Sequence, residues 1–184
     1  MKLEDMKIYI ITTSLLEQMM FRGVFEKYSN VEVVLNDFKT FMTENSDVEC
    51  IVSPANSYGI MNGGYDYAIS DYLGWDFQEK VQQYIKDNYF GEQLVGTSFI
   101  IDAPKGKKLI HTPTMKLPEK IIDSRVVYNA MRATLMCALE NNITSIVIPL
   151  FGAGTGGVTI NTVCEHMLNV YKQILDAQNG IYFY

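Results

Sequence analysis

Apolar residues in this chain fall into short, dense runs separated by longer amphipathic stretches. Six runs rich in Ile and Val have the length and β-branched content of strands: Lys7–Thr12, Val31–Leu35, 48–53, 96–102, 108–112 and 145–150. Helical spacing fills the gaps at 14–28, 67–88, 124–141 and 159–177, and Gly74 predicts a break within the second. In the last helix Ile160, Val163, Met167, Val170, Tyr171 and Ile174 recur at i, i+3 and i+4 and define one apolar face. The closing IYFY, after Asn179-Gly180, reads as a final edge strand. Such alternation predicts an α/β fold, a sheet with helices on both faces. CIVS and SIVIPL are apolar at successive positions, as strands buried on both faces must be.

In sheets of this kind, ligands sit beyond the carboxyl ends of the central strands. Two loops fit that placement. The first, SPANSYGIMNGGYD (53–66), follows CIVS. In it Asn56 carries an amide suited to sugar hydroxyls, Asn62-Gly63-Gly64 can form a backbone concavity, and Asp66 opens the next helix. Spacing alone favours Asp66 as an N-cap; the sharper role is a carboxylate that orients or deprotonates water. The second loop, FGAGTGG, follows SIVIPL, and its Gly152, Gly154 and Gly157 satisfy GxGxxG. The dinucleotide fingerprint opens a βαβ unit, whereas 27 residues follow Gly157, so that label fails on position. The physical content survives: glycines allow close backbone approach, and the N–H groups entering the following helix point at a guest such as a diphosphate.

Composition narrows the partners. The 184 residues suit a single domain, 1–184, and a formal charge of −6 argues against duplex nucleic acid, though not against a small anion held by backbone N–H groups. The N-terminus lacks a signal-peptide pattern and no apolar stretch approaches a membrane span, so a cytoplasmic location is expected. Cys50, Cys137 and Cys164 are widely spaced in apolar segments and read as buried free thiols. With two histidines in the chain, no metal site is expected, and no cofactor. His111 in its apolar strand reads as a hydrogen-bonded core residue, and His166 as partly exposed. Arg125 and Arg132 read as a solvated face, and Met19-Met20-Phe21 as helix core.

Taken together, the two loops resemble those of macrodomains, the ADP-ribose-binding modules. SPANSYGIMNGGYD is similar to the family's NAAN-type strand end, glycine run and Asp, and IPLFGAGTGGV to its late strand and phosphate loop. VVLNDF (33–38) resembles the strand ending in Gly-Asp-Ile, and LIHTPTM (109–115) the strand reading "IH", a small residue and Pro. The matches run in order over residues 31–175. The resemblance implies a three-layer α/β/α sandwich around a central mixed, mostly parallel sheet. It also implies ADP-ribose, or an ADP-ribosylated substrate, as the partner. Asp37 then holds adenine with the backbone near Phe38. The N–H groups of Gly152, Ala153, Gly154, Thr155 and Gly156 cradle the diphosphate, Asn56 meets the distal ribose, and Gly63, Gly64 and Phe151 complete the ligand-binding residues.

In hydrolytic members the Asn and the Asp position water at the anomeric carbon, places that Asn56 and Asp66 occupy. The implied activity is hydrolysis at the distal ribose of mono-ADP-ribosyl-protein, O-acetyl-ADP-ribose or ADP-ribose 1″-phosphate; the alternative is a module that binds without turnover. Three departures stand out. Ser53-Pro54 replaces Asn-Ala, Tyr65 stands where a small apolar residue is usual, and Gly156 aligns with the aromatic that presses on the distal ribose in hydrolytic relatives. Tyr58, Tyr65 and Phe151 are the candidates to replace that aromatic.

Overall fold

The computed structural model describes residues 1–182. Six strands form one sheet: β1 (Lys7–Thr12), β2 (Val31–Leu35), β3 (Cys50–Ser53), β4 (Phe99–Ala103), β5 (Lys107–His111) and β6 (Ser145–Ile148). Their order is β2-β1-β6-β3-β5-β4. Every neighbouring pair is parallel except β4 and β5, so the sheet is mixed with one antiparallel edge. Six helices flank it: α1 (Leu15–Phe25), α2 (Phe38–Glu44), α3 (Gly64–Leu73), α4 (Phe77–Tyr89), α5 (Arg125–Glu140) and α6 (Ile160–Gln178).

Two buried clusters show why the central strands are apolar at every position. Ile8, Ile10, Cys50, Val52, Ile146 and Ile148 pack under α1, α5 and α6. Their strand neighbours Ile11, Ile51 and Val147 point the other way, under α2, α3 and α4. Successive side chains on a strand face opposite layers, so a strand covered on both faces is apolar on both, and the polar Ser53 comes only at the carboxyl end of β3. This is the three-layer α/β/α sandwich. The chain runs from β1 outward to β2 and then crosses to β3 on the far side of β6. That reversal leaves a crevice at the carboxyl ends of β1, β6 and β3.

Differences from the sequence expectations have local causes. β4 starts at Phe99 because Gly96, with φ 79°, turns to donate its N–H to the Pro113 carbonyl (2.9 Å). The long second helix divides at Gly74, whose φ of 108° suits glycine. α2 was absent from the expectations; it is seven residues long, too short for a periodic signal, although Phe38, Phe41 and Met42 do face the core. Ile181 and Tyr182 form no strand, and the rest of the expected IYFY strand lies outside the described residues. Met19 is 64% exposed beside exposed Leu15 and Leu16, whereas Phe21 is buried; α1 turns only one side to the sheet. Cys50 and Cys164 are buried and Cys137 is half-buried, all as free thiols.

Candidate functional site

A cleft of about 520 Å³ opens where the crevice lies, between the first loop and the glycine loop after β6. This volume falls within the range of about 300–1,000 Å³ usual for small-molecule sites. Asp37, Phe38, Asn56, Gly63, Gly64 and Asp66 border one side, and Gly152 to Gly156 the other. The first loop is pinned from beneath by the segment after β5: Thr114 N donates to Ala55 O (2.9 Å), and Ser57 N to Met115 O (3.1 Å).

Asp66 does not cap its helix. Gly63 is the N-cap of α3, without a side-chain bond, and Asp66 is the third helical residue. It is buried, and its Oδ1 accepts from the Ser53 hydroxyl at 2.6 Å. Burial pushes the Asp66 carboxyl up to about 7, and the Ser53 hydrogen bond opposes that rise. An acidic group of this kind exchanges a proton near neutrality. The cap reading loses because the carboxyl is drawn inward to the last residue of β3 rather than back toward the start of its own helix. Ser53 escaped the sequence reading, where its significance was only the loss of an amide.

Asn56 is placed at the cleft, but much of its hydrogen-bonding capacity serves the loop. Its Nδ2 donates to Ile60 O (2.7 Å), and its Oδ1 accepts from Tyr58 N (3.1 Å) and Ile60 N (3.2 Å). With both acceptor positions used, one Nδ2 hydrogen is left for a ligand. The side chain is therefore a clamp on the turn that shapes the site, and what it can still offer a sugar hydroxyl is a donor rather than an acceptor. At the start of α3, the N–H groups of Gly64, Tyr65 and Asp66 have no capping side chain.

The glycine loop offers the anion cradle. Within it, Ala153 N turns back to Leu150 O (3.3 Å) and Gly157 N to Gly154 O (3.0 Å). The N–H groups of Gly152, Gly154, Thr155 and Gly156 make no such bonds among the described residues. Gly152 has φ 74°, and a Cβ on it would lie 3.0 Å from Ile121 Cδ1. At Gly156 a Cβ would lie 2.5 Å from Ile121 Cδ1 and 2.7 Å from the Gly152 carbonyl oxygen, so no side chain fits there. Ile121 is anchored in place by its own N–H, which donates to Gly156 O (2.9 Å).

The three aromatic candidates differ in where they stand relative to the cleft. Phe151 is fully buried in the core and does not line the cleft, so its assignment to the ligand is corrected: its place after β6 points it between the sheet and the helices. Tyr58 donates to Glu92 (3.1 Å) away from the cleft wall. Tyr65 does line the cleft, edge-on to Phe38 with ring centroids 5.2 Å apart.

At the far end, Asp37 is the N-cap of α2, accepting from Thr40 N (3.0 Å) and from the Thr40 hydroxyl (2.7 Å). These bonds hold its carboxyl below the usual range and ionised. The Asp-x-x-Thr spacing was the available signal for both the cap and the missed helix. Glu17, which accepts from the Thr12 hydroxyl, and Asn36 also line this end; sequence reading missed them because neither belongs to a glycine-bearing motif. His111 stays out of the cleft, stacked on Phe99 and bonded through Nδ1 to Gln93 (2.6 Å), and burial pushes it down to about 3, keeping it neutral.

Comparison with known proteins accords with this geometry. A sequence profile of the Macro domain matches residues 52–167. A protein of Aquifex aeolicus is 32% identical over 129 residues, covering 69% of this chain and 74% of its own length. The DNA ADP-ribosyl glycohydrolase of Mycobacterium tuberculosis is 27% identical over 145 residues, covering 74% of this chain but only 39% of that protein. Among solved structures, the Oceanobacillus iheyensis macrodomain with ADP superimposes with a TM-score of 0.61 at 21% identity, over 70% of each chain. With its two loops at the carboxyl ends of β3 and β6 and a profile match over more than half its length, the chain belongs to the Macro domain family.

Proposed function

We propose that this chain binds ADP-ribose conjugates in the cleft and hydrolyses the bond at the anomeric carbon of the distal ribose. The observation that carries the reading is Asp66, a buried carboxyl that titrates near neutrality beside an anion cradle of free N–H groups. The diphosphate lies on the glycine loop, adenine toward Asp37, and the distal ribose toward Asn56 and Asp66. The ionised Asp66 takes a proton from a water as the water oxygen bonds to the anomeric carbon. The bond to the leaving group breaks with its electron pair, and the leaving group takes up a proton from solvent. Ser53 holds the carboxylate in orientation for that transfer.

Support also comes from a relative whose name states glycohydrolysis of ADP-ribosyl groups and from a structural neighbour holding ADP. The test compares wild type with Asp66→Asn on mono-ADP-ribosylated protein, ADP-ribosylated single-stranded DNA, O-acetyl-ADP-ribose and ADP-ribose 1″-phosphate. Wild type is expected to release product from at least one, and the variant to be slower by about 10²-fold or more while binding ADP-ribose within a few fold of wild type. Tight binding by wild type with no product from any of them would remove the hydrolytic half of the proposal.

A second reading, capture without turnover, has its own support. Asn56 is committed to its own loop, and the glycine loop has no room for a side chain at 156 to press on the distal ribose.

A further inference from the structure

We propose that the Glu17 carboxylate accepts hydrogen bonds from the hydroxyls of the ribose next to adenine, and so selects nucleotides whose 2′-hydroxyl is free over those phosphorylated there. The inference rests on the reading of the cleft as an ADP-ribose site and adds a determinant of which ADP-ribose derivatives enter it.

The order of the strand ends carries the argument. β2, β1, β6 and β3 lie side by side and parallel, about 4.8 Å from one to the next. Residues at the carboxyl end of each line the cleft: Asn36 and Asp37 at β2, Thr12, Thr13 and Glu17 at β1, the glycine loop at β6 and Asn56 at β3. The ligand is likewise four units in a row: adenine, ribose, diphosphate, ribose. With adenine toward Asp37 and the diphosphate on the glycine loop, the first ribose crosses the end of β1. The charged side chain on that part of the wall is Glu17.

The helix itself does not use this carboxylate. Ser14-x-x-Glu17 has the spacing of a capping box, in which the glutamate accepts from the N–H of the capping serine. Here Ser14 N donates instead to the Thr12 hydroxyl (3.1 Å), and that hydroxyl donates to Glu17 Oε2. The carboxylate is thereby drawn away from its own helix to the last residue of β1. Among the described residues its Oε1 receives no hydrogen bond, and Glu17 enters no ion pair. Half-buried on the cleft wall, it keeps an accepting oxygen for a ligand. Sugar hydroxyls can donate to it. A 2′-phosphate, with a charge of about −1.5 to −2, meets it as a like charge, and no Lys or Arg among the described lining residues offsets the repulsion. Dinucleotide sites on other α/β sheets draw the same distinction, an acidic residue for the free 2′-hydroxyl and an arginine for the 2′-phosphate.

The test titrates ADP-ribose and 2′-phospho-ADP-ribose calorimetrically into wild type and Glu17→Gln, with a thermal melt of each protein. Salt at about 300 mM screens distant charges, so the ratio of the two affinities reports the charge beside the ribose. Glutamine keeps the shape of the side chain and an oxygen for Thr12, but not the charge. Wild type is expected to bind ADP-ribose about 30-fold or more tightly than its 2′-phosphate, and the variant to narrow that ratio to about threefold or less while melting as wild type does. A wild-type ratio near one would overturn the proposal, as would a ratio that survives unchanged in Glu17→Gln. Failure of wild type to bind either ligand would instead overturn the reading of the cleft, and this inference with it.

Discussion

The chemistry of the site comes down to two neighbouring side chains with opposed effects. Burial moves Asp66 up to about 7, and the hydroxyl of Ser53 at 2.6 Å favours its charged form. For a general base, the deprotonated fraction sets the rate, so activity rises with pH through that value. Removing a hydrogen bond that favours the carboxylate raises its pKa further. In Ser53→Ala the rising limb of the pH–rate profile should therefore move to higher pH. The rate at pH 7 should fall several-fold, by about 3–10, and recover at alkaline pH. An unshifted limb with a uniformly lower rate would assign Ser53 to orientation alone. Ser53 is the residue that reaches Asp66 because it ends β3 and its hydroxyl lies within bonding distance of the first turn of α3.

At the scale of elements, a loop and two helix starts build the cleft. The glycine loop is shaped by the segment that crosses it, with Ile121 filling the space a side chain at 156 would need. Gly156→Ala forces a methyl against both that isoleucine and the Gly152 carbonyl, and overpacking of this kind costs about 1–3 kcal/mol. Gly154→Ala, two residues away, meets nothing within 4 Å and should leave stability unchanged. Denaturant melts of the two variants side by side check the contrast; equal stability would mean that Ile121 gives way freely. Asp37 illustrates a different economy at this scale. One carboxyl both caps α2 through Thr40 and borders the cleft, so the helix that positions it also keeps it ionised.

Over the whole molecule, charge sets the character of binding. The chain carries −6, and the cleft is bordered by the carboxyls of Glu17, Asp37 and Asp66, with no Lys or Arg among its described lining residues. An anionic ligand held here depends on short-range N–H bonds against an unfavourable long-range field. Raising ionic strength from about 50 to about 300 mM screens that field, so ADP-ribose affinity should stay level or rise by up to about threefold. A site that bound phosphates through lysines and arginines would lose affinity over the same range, and a steep loss in titrations would contradict the backbone-cradle account.

Much of this architecture was legible in the chain itself. Apolar runs at every position required strands covered on both faces, and the glycine and asparagine loops after two of them marked the edge at which a ligand would sit. Those features are local, set by side-chain period and by the backbone freedom of glycine. The antiparallel edge of β4, the seven-residue α2 and the partners of Asp66 and Asn56 were not legible, because each depends on residues distant in sequence or on a segment too short to show a period. Sequence placed Asp66 at the head of a helix, where a cap was the commoner role. Only packing drew its carboxyl inward to Ser53, thirteen residues earlier, and out of water, which turned an ordinary surface acid into one that titrates near neutrality.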